Sequence, residues 1–333
     1  MIDILFIVAP HSLLLDLAGP AEAFRMANMQ LHKRGGTAQF KLRFSAASAQ
    51  AISSLGLVVA GLEPLPGNLP EPTWVLLLGQ PSAVLNAKPG AKPNADSKAT
   101  ALWLAHTLPT LLAQNDAHKL VTICAGSLIA ARAGLIGTRR CTTHHELLDH
   151  LRAAAPAAQV VENRVFVLDG SLASSAGVTA GIDLALHLIA QTCGDACAAA
   201  VAKDMVVYLR RSQNDPELSP LLAHRHHLHP AVHRVQDAVS AEPSREWTMT
   251  ILAATAFVTK RHLLRLFSTH TSVSPMDYVC AIRLERARQN LKRGDSVSRA
   301  AHDAGFSSDL QLRRAWKQRY GDTPGAGRAT TSL

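Results

Sequence analysis

One cysteine stands at a position that an α/β fold would expose. Residues 119–123 form an apolar run that predicts a strand, Cys124 follows it directly, and residues 127–133 predict a helix. A strand that turns at once into a helix presents the turn residue at the carboxyl edge of the sheet, where open α/β folds bind ligands. The start of the following helix would favour a thiolate or a bound anion. Cys124 therefore marks a candidate nucleophile or ligand pocket.

Two further side chains could act together with this thiol. His144 offers an imidazole, and Asp16 follows the first predicted strand, on the same edge of the sheet. Nucleophilic catalysis needs a histidine base and a third group that orients the histidine, and the sequence offers no convincing third group. We therefore expect a ligand pocket rather than catalysis. Structural roles stay open: Asp16 could cap a helix entry, and His144 could cap the helix that starts there.

A second set of side chains, near the end of the chain, has the chemistry of nucleic-acid recognition. Residues 297–320 contain a helix of small residues, a break at Gly305 and a second helix that Ser307 can cap. This is the spacing of a helix-turn-helix. Recurrence every four residues predicts a buried face of Leu312, Trp316 and Tyr320. The candidate DNA contacts of this copy are Ser308, Asp309, Gln311, Arg314 and Lys317, among which Arg and Gln suit base edges and Lys suits phosphate.

A less regular copy of the same motif precedes it. Residues 249–256 predict a compact helix, Thr259 is a candidate N-cap, and residues 260–270 predict a second helix. Phe257 stands where the later copy has Gly305, which weakens the turn signal because a positive φ costs Phe more than Gly. Helical spacing places Leu263, Leu266 and Phe267 inward, and leaves Lys260, Arg261 and Arg265 as the outward candidate DNA contacts.

A single helix is predicted between the two copies. Residues 274–294 begin with Ser then Pro and stop at a glycine, as a helix should. About nineteen residues at ~1.5 Å each give roughly 28 Å, close to the ~34 Å between successive major grooves on one face of DNA. One chain could therefore fill two adjacent grooves.

Four ordered motifs in this region carry a resemblance to a known family. They are Ser274-Pro-Met-Asp-Tyr278, Arg283-Leu-Glu-Arg-Ala-Arg288, Ala304-Gly-Phe-Ser-Ser308 and Tyr320-Gly-Asp-Thr-Pro324. Together they resemble the DNA-binding domain of AraC/XylS transcription regulators, which implies that double-stranded DNA is a partner.

The distribution of charge agrees with a separate nucleic-acid module. Residues 1–246 hold 20 Lys and Arg against 19 Asp and Glu, whereas residues 247–333 hold 14 against 6, so +8 of the net +9 lies in the last quarter. Clustered positive charge is what phosphate neutralisation requires. A solvated basic face is the alternative, but the helix-turn-helix spacing argues against it.

Alternating strands and helices are predicted upstream. Strands are expected at 2–9, 40–46, 74–79, 119–123 and 165–169, and helices at 20–31, with Pro20 in its first turn, 100–113, 127–133 and 180–192. Apolar strands that alternate with helices imply a parallel sheet covered on both faces. The stretch 87–96, rich in Pro, Ala and Asn, is expected to be a surface loop.

This upstream region resembles the PfpI-like, class I glutamine-amidotransferase-like superfamily, and specifically the GlxA-type regulators that fuse such a domain to an AraC-type reader. The matching motifs are Leu15-Asp-Leu-Ala-Gly-Pro-Ala-Glu-Ala-Phe24, Cys124-Ala-Gly126, Thr142-Thr-His144 and the run 175–187. The resemblance implies a vestigial active site or ligand pocket lined by Cys124, His144, Asp16, Gly79 and Ala125. Gln80 and Pro81 depart from the paired glycines usual in the relatives' oxyanion loop.

We therefore predict an α/β domain at 1–210 that senses a ligand, a linker at 211–230, and an all-α double helix-turn-helix domain at 231–333. The function predicted is that of a DNA-binding transcriptional regulator that responds to a small metabolite and controls nearby catabolic genes. The alternative is a cysteine-dependent hydrolase or amidotransferase with a basic DNA-binding tail. Candidate partners are an amino-acid or quaternary-amine effector, RNA polymerase and a second copy of the chain in a homodimer.

Several other classes of protein are disfavoured by the sequence. The five cysteines lack zinc-finger spacing, and His224, His226, His227 and His229 are better explained as a solvated or helix-flanking cluster than as metal ligands, so no metal or cofactor is expected. No apolar run reaches the ~18 residues that a membrane helix needs. The N-terminus has Asp3 instead of a basic segment and reads as a strand, not a signal peptide. A reducing cytoplasm is the expected location.

Overall fold

The computed structural model describes residues 1–85, 94–177, 179–207, 224, 227, 229–321, 323 and 324. The chain divides into two compact units, residues 1–217 and 218–333. Most of the predicted linker at 211–230, with His226 in it, lies outside the described residues, so the predicted domain boundaries remain a prediction.

A seven-stranded sheet forms the centre of the first unit. Its strands, with two short pairs outside it, are β1 (Ile2–Ile7), β2 (Phe40–Ala46), β3 (Gln50–Ile52), β4 (Val58–Ala60), β5 (Glu63–Pro64), β6 (Thr73–Leu77), β7 (Lys119–Thr122), β8 (Arg140–Cys141), β9 (Gln159–Val160), β10 (Phe166–Asp169) and β11 (Leu172–Ser175). The order in the sheet is β10-β11-β7-β6-β1-β2-β5. All neighbours are parallel except β10 and β11.

Helices cover both faces of this sheet. They are α1 (Leu14–Lys33), α2 (Ser82–Leu85), α3 (Ala95–Leu102), α4 (Leu108–Leu112), α5 (Gly126–Arg132), α6 (Leu148–Ala154), α7 (Ala180–Cys193) and α8 (Asp195–Asp204). In β1, Ile4 and Phe6 pack into one core with α1, α7 and α8, while Leu5 and Ile7 pack into another with α4, α6 and the π-helical turn Trp103–Thr107 that lies between α3 and α4. Alternate residues of a strand point to opposite faces, so a strand buried on both is apolar throughout. The predicted parallel sheet, covered on both faces, is confirmed.

Two local predictions in this unit were wrong, and one element was missed. Helix α1 begins at Leu14, so Pro20 lies inside it and not in its first turn; the missing N–H removes only one helical hydrogen bond, and packing on the sheet outweighs that loss. Residues 95 and 96 are helical because the Asn94 side chain accepts a hydrogen bond from Ser97 N–H at 2.8 Å and caps the helix. The β3–β4 hairpin was not predicted at all.

The second unit is helical. It contains α9 (Pro230–Ala241), α10 (Met249–Ala256), α11 (Lys260–Thr271), α12 (Pro275–Lys292), α13 (Val297–Ala304) and α14 (Asp309–Tyr320). Two cores lie along α12: α9, α10 and α11 pack on its first half, at Tyr278 and Ile282, and α13 and α14 pack on its second half, at Leu284 and Ala287. The helix pairs α10–α11 and α13–α14 are the two predicted helix-turn-helix motifs.

The turns of the two motifs have the same backbone conformation. Phe257 has φ 57° and Gly305 has φ 87°, and both are left-handed C-caps. The prediction that Ser307 caps the last helix was wrong by one residue: the Ser308 side chain accepts the hydrogen bond from Gln311 N–H. Both serines fit the sequence pattern, and only the backbone geometry distinguishes them.

Candidate ligand pocket and nucleic-acid interface

The cysteine lies on a sharp turn between β7 and α5. Cys124 has φ 54° and is 4% exposed. Two residues later, a Cβ atom on Gly126 would lie 2.1 Å from the carbonyl oxygen of Leu77 in β6, so only glycine fits there. The turn is therefore pressed against the end of the neighbouring strand, at the carboxyl edge of the sheet.

Four of the five predicted pocket residues meet around Gly79. Its N–H donates to Asp16 Oδ2 at 3.0 Å. A Cβ atom at Gly79 would lie 2.6 Å from that oxygen, 3.1 Å from the Cβ of Cys124 and 3.0 Å from the backbone nitrogen of Ala125. No larger residue fits at position 79 without moving one of these groups, so the absence of a side chain there is what allows the carboxyl group and the cysteine turn to come together.

Asp16 is a buried carboxyl group whose pKa is strongly shifted. Burial raises its pKa to about 7, and the hydrogen bond from Gly79 N–H partly opposes that rise. Within the described parts of the chain, its Oδ1 is buried and has no hydrogen-bond partner. Near neutral pH this oxygen can therefore either accept or, when protonated, donate a hydrogen bond. The carboxyl group binds Gly79 and not the start of its own helix, so the alternative role as a helix cap was wrong.

His144, the fifth predicted residue, caps a turn. Its Nδ1 accepts from Glu146 N–H at 3.4 Å at the start of a 3₁₀ turn, His145–Leu147, and its ring stacks on that of His145 at 4.2 Å between centroids. Thr143, the residue before His144, holds this segment beside the Cys124 turn, because its Oγ1 donates to the carbonyl oxygen of Cys124 at 2.9 Å. The capping role that the sequence left open is therefore present in the structure.

A chain of hydrogen bonds through buried hydroxyl groups supports the turn that carries Cys124. Thr122 Oγ1 and Ser127 Oγ are 2.7 Å apart, Ser127 Oγ donates to the Thr142 carbonyl at 2.7 Å, and Thr142 N–H donates to Ser174 Oγ at 2.9 Å. These bonds join β7, α5, the segment before His144 and β11. Sequence reasoning missed them, and the only signal was the presence of Ser and Thr at the ends of apolar strands.

The candidate DNA contacts differ in how free their side chains are. On α11, Lys260, Arg261 and Arg265 are exposed, as predicted, and on α14 so are Arg314 and Lys317. The side chains of the other three candidates, Ser308, Asp309 and Gln311, form hydrogen bonds that stabilise the start of α14. Ser308 is the N-cap, Gln311 Oε1 accepts from Ser307 N–H at 2.8 Å, and the half-buried Asp309 accepts from Ser298 Oγ at 2.5 Å.

Two of the histidines before α9, His227 and His229, pack against α9 and α11. The rings of His229 and His270 are 4.8 Å apart between centroids, and those of His227 and His233 are 4.6 Å apart. Among the residues with described positions, no group of three or more His, Cys, Asp or Glu side chains is arranged to hold a metal ion. Within the same residues, no helix has the length and apolar character to cross a membrane.

Both regions match known families. Residues 252–330 match the family model of a helix-turn-helix domain, and residues 89–191 match that of the DJ-1/PfpI family. The HTH-type transcriptional regulator CdhR of Pseudomonas aeruginosa is 32% identical over 212 residues, which cover 63% of each chain. The HTH-type transcriptional regulator GlxA of Rhizobium meliloti is 31% identical over 205 residues, 61% of this chain and 63% of its own.

A third relative is named as an enzyme. Isonitrile hydratase of Pseudomonas putida is 42% identical over 82 residues, which cover 24% of this chain and 33% of its own. The alignments with the two regulators thus span just under two thirds of those proteins, and the alignment with the enzyme spans one third.

Proposed function

We propose that this chain, which joins a DJ-1/PfpI domain to an AraC-type helix-turn-helix domain, is a sequence-specific DNA-binding transcriptional regulator controlled by a small molecule. The observation that carries the proposal is the pair of helix-turn-helix motifs on one shared helix, each with exposed cationic side chains on its second helix. Exposed Arg and Lys on a helix that can enter a major groove are the side chains that read base edges and bind phosphates.

The shared helix sets the scale of the binding site. The 18 residues of α12 at ~1.5 Å each span roughly 27 Å, which suits two successive major grooves on one face of the duplex. Arg261 and Arg314 would read bases, and Lys260, Arg265 and Lys317 would bind phosphates. A homodimer would present four recognition helices to a repeated or inverted site, and contact with RNA polymerase would connect binding to transcription of nearby catabolic genes.

The effector would bind where Asp16, Gly79, Cys124 and Ala125 meet. The buried Oδ1 of Asp16 could accept a hydrogen bond from an ammonium group or neutralise a quaternary amine, so an amino acid or a small quaternary amine is the class we propose. His144 would contribute at the rim of the pocket.

Selection of bound sequences from random duplexes by the full-length protein tests the DNA-binding proposal. The selected duplex should bind with an affinity that falls steeply as salt rises, because each Lys or Arg contact to phosphate releases counterions. Arg314→Ala and Arg261→Ala should each cost roughly 1–3 kcal/mol and relax preference at one position, while Lys317→Ala should weaken all sequences alike. Failure to enrich any sequence, or binding that ignores salt, would refute the proposal.

A cysteine-dependent hydrolase is the second candidate. It is favoured by the buried carboxyl group of Asp16, with its pKa near 7, beside the turn that carries Cys124. An amide or nitrile-type substrate would then be consumed by the wild type and not by Cys124→Ser, because a hydroxyl is a far weaker nucleophile than a thiolate. A metabolite-depletion screen that compares the two proteins decides between the candidates: consumption by the wild type alone would favour the enzyme.

A further inference from the structure

The two helix-turn-helix motifs have separate cores that meet on α12. Ile282 is the last buried residue of α12 in the first core, and Leu284 is the first buried residue in the second core, against which the half-buried Cys280 also packs. Arg283 lies between Ile282 and Leu284. Each core packs on its own half of α12, so α12 alone would carry the relative orientation of the two motifs. A contact that joins the two halves directly would hold that orientation more firmly.

A short segment that is anchored in the first core lies at this boundary. It comprises residues 242–245, between α9 and α10, and is anchored on its own side by Trp247. The indole N–H of Trp247 donates to the carbonyl oxygen of Glu242 at 2.8 Å, and the Arg245 guanidinium lies over the indole ring at 4.9 Å. Trp247 is itself buried in the first core. The segment therefore moves with the first motif.

Arg283 ties this segment to α12. Its Nε donates to the carbonyl oxygen of Pro243 at 2.9 Å and its Nη2 to that of Arg245 at 2.8 Å. The rigid, planar guanidinium group reaches two carbonyls of one segment at once, which a lysine cannot do with the same geometry. Partial burial of the side chain lowers its pKa, but an arginine remains charged under all ordinary conditions.

The second motif presses on the same segment through its turn. A Cβ atom on Gly305 would lie 2.6 Å from Ser244 Cα, 3.0 Å from the Ser244 carbonyl oxygen and 3.1 Å from Arg283 Nε. The turn of the second motif is thus in direct backbone contact with a segment that belongs to the first. Gly305 serves two purposes, the left-handed turn and this close approach.

We propose that residues 242–245, Arg283 and Gly305 form a clamp that fixes the distance and angle between the two recognition helices, α11 and α14. Arg283 is a positioning residue: its guanidinium binds two carbonyl groups of the protein, and through them it sets which spacing of half-sites the protein reads. The reading of DNA rests on the function proposed above, whereas the rigidity of the clamp is a property of the protein alone. The two can therefore be tested separately.

The first experiment needs no DNA. Amide residual dipolar couplings are measured in the full-length protein for α10–α11 and for α13–α14, in the wild type, in Arg283→Met and in Arg286→Met. Arg286 is exposed on the same helix, so its replacement removes the same charge and leaves the clamp in place. We expect one alignment tensor to fit both motifs in the wild type and in Arg286→Met, and two different tensors to be needed in Arg283→Met.

The clamp proposal would be refuted if one alignment tensor fitted both motifs in Arg283→Met, or if the wild type needed two. If Arg283→Met fails to fold, Arg283→Lys gives the same comparison, because it keeps the charge but cannot bind both carbonyls in the same way.

The second experiment measures half-site spacing. One or two base pairs are inserted between the half-sites of the duplex selected by the wild type, which rotates one half-site relative to the other by ~34° per base pair. We expect wild-type affinity to fall by about tenfold or more, the scale of a lost base contact, and Arg283→Met to bind all spacings within a few-fold. Equal spacing profiles for the two proteins would overturn the positioning role. If the wild type selects no duplex, the proposed function fails, and the dipolar couplings still decide the clamp.

Discussion

Replacement of Asp16 by asparagine should stabilise the first unit in a pH-dependent manner. The carboxyl group is fully buried, and burial raises its pKa to about 7, whereas an unfolded aspartate titrates near ~3.9. Asparagine has nearly the same shape, and its side-chain oxygen can still accept the hydrogen bond from Gly79 N–H. The substitution therefore removes the ionisation and keeps the geometry.

The sign of this pH dependence follows from whether the folded or the unfolded state binds the Asp16 proton more tightly. Below pH ~4 the carboxyl group is protonated in both states, so its full contribution to stability is present. Between pH ~4 and ~7 the unfolded chain ionises and the folded chain does not, and about 1.4 kcal/mol is lost per pH unit. Above pH ~7 both are ionised and the loss is complete, at roughly 4 kcal/mol. The unfolding free energy of Asp16→Asn relative to wild type should therefore rise by about that amount from pH 4 to pH 8.

Hydrogen exchange of peptides that cover β1 and β6 reports the stability of this unit in the full-length chain. Asp149→Asn is the matched control, because the Asp149 side chain is 93% exposed and its replacement should give no comparable pH dependence. A difference between Asp16→Asn and wild type that stays constant with pH, or falls as pH rises, would refute the assignment of Asp16 as a buried carboxyl group with a raised pKa.

Three further outcomes are expected. Gly305→Ala should destabilise the second unit by roughly 1–3 kcal/mol more than Gly321→Ala in urea unfolding, because both have positive φ but only Gly305 meets another backbone; equal losses would argue against the close contact. Gln311→Ala should cost about 1 kcal/mol of stability through loss of the capping interaction, whereas Arg314→Ala should leave the unfolding midpoint unchanged and weaken only DNA binding. Cys124→Ser should retain folding and DNA binding but change the effector response in a reporter strain; an unchanged response would remove Cys124 from the pocket.

Periodic and local signals in the sequence were sufficient for most of the elements and for most of the faces they bury. Leu312 and Trp316 recur with the helical period and are buried, whereas Tyr320, the third residue of the same predicted face, is half-buried. Cys124 was predicted at a strand-to-helix turn because an apolar run ends immediately before it, and the structure has that turn. Patterns of this kind depend on neighbours in sequence, which is why they can be read from a single chain.

The remaining features depend on contacts between distant segments. The bond of Asp16 to Gly79 crosses 63 positions, and the bonds of Arg283 to Pro243 and Arg245 cross 40 and 38. No local propensity encodes such partners. The start of the first helix was predicted too late for the same reason. Pro20 is tolerated inside α1 because the helix packs on the sheet, and the helical propensity of the segment does not show this.

The last strand at one edge of the sheet has a consequence for self-association. β5 is only two residues long, Glu63 and Pro64, and pairs with the end of β2. Pro64 has no N–H to offer an incoming strand, and the uncovered part of β2 carries Lys41 and Arg43. Charged and proline-bearing edges resist strand addition, which is the usual first step of β-aggregation. This edge is therefore unsuited to sheet extension between copies, and the homodimer proposed above would not form by strand addition at β5.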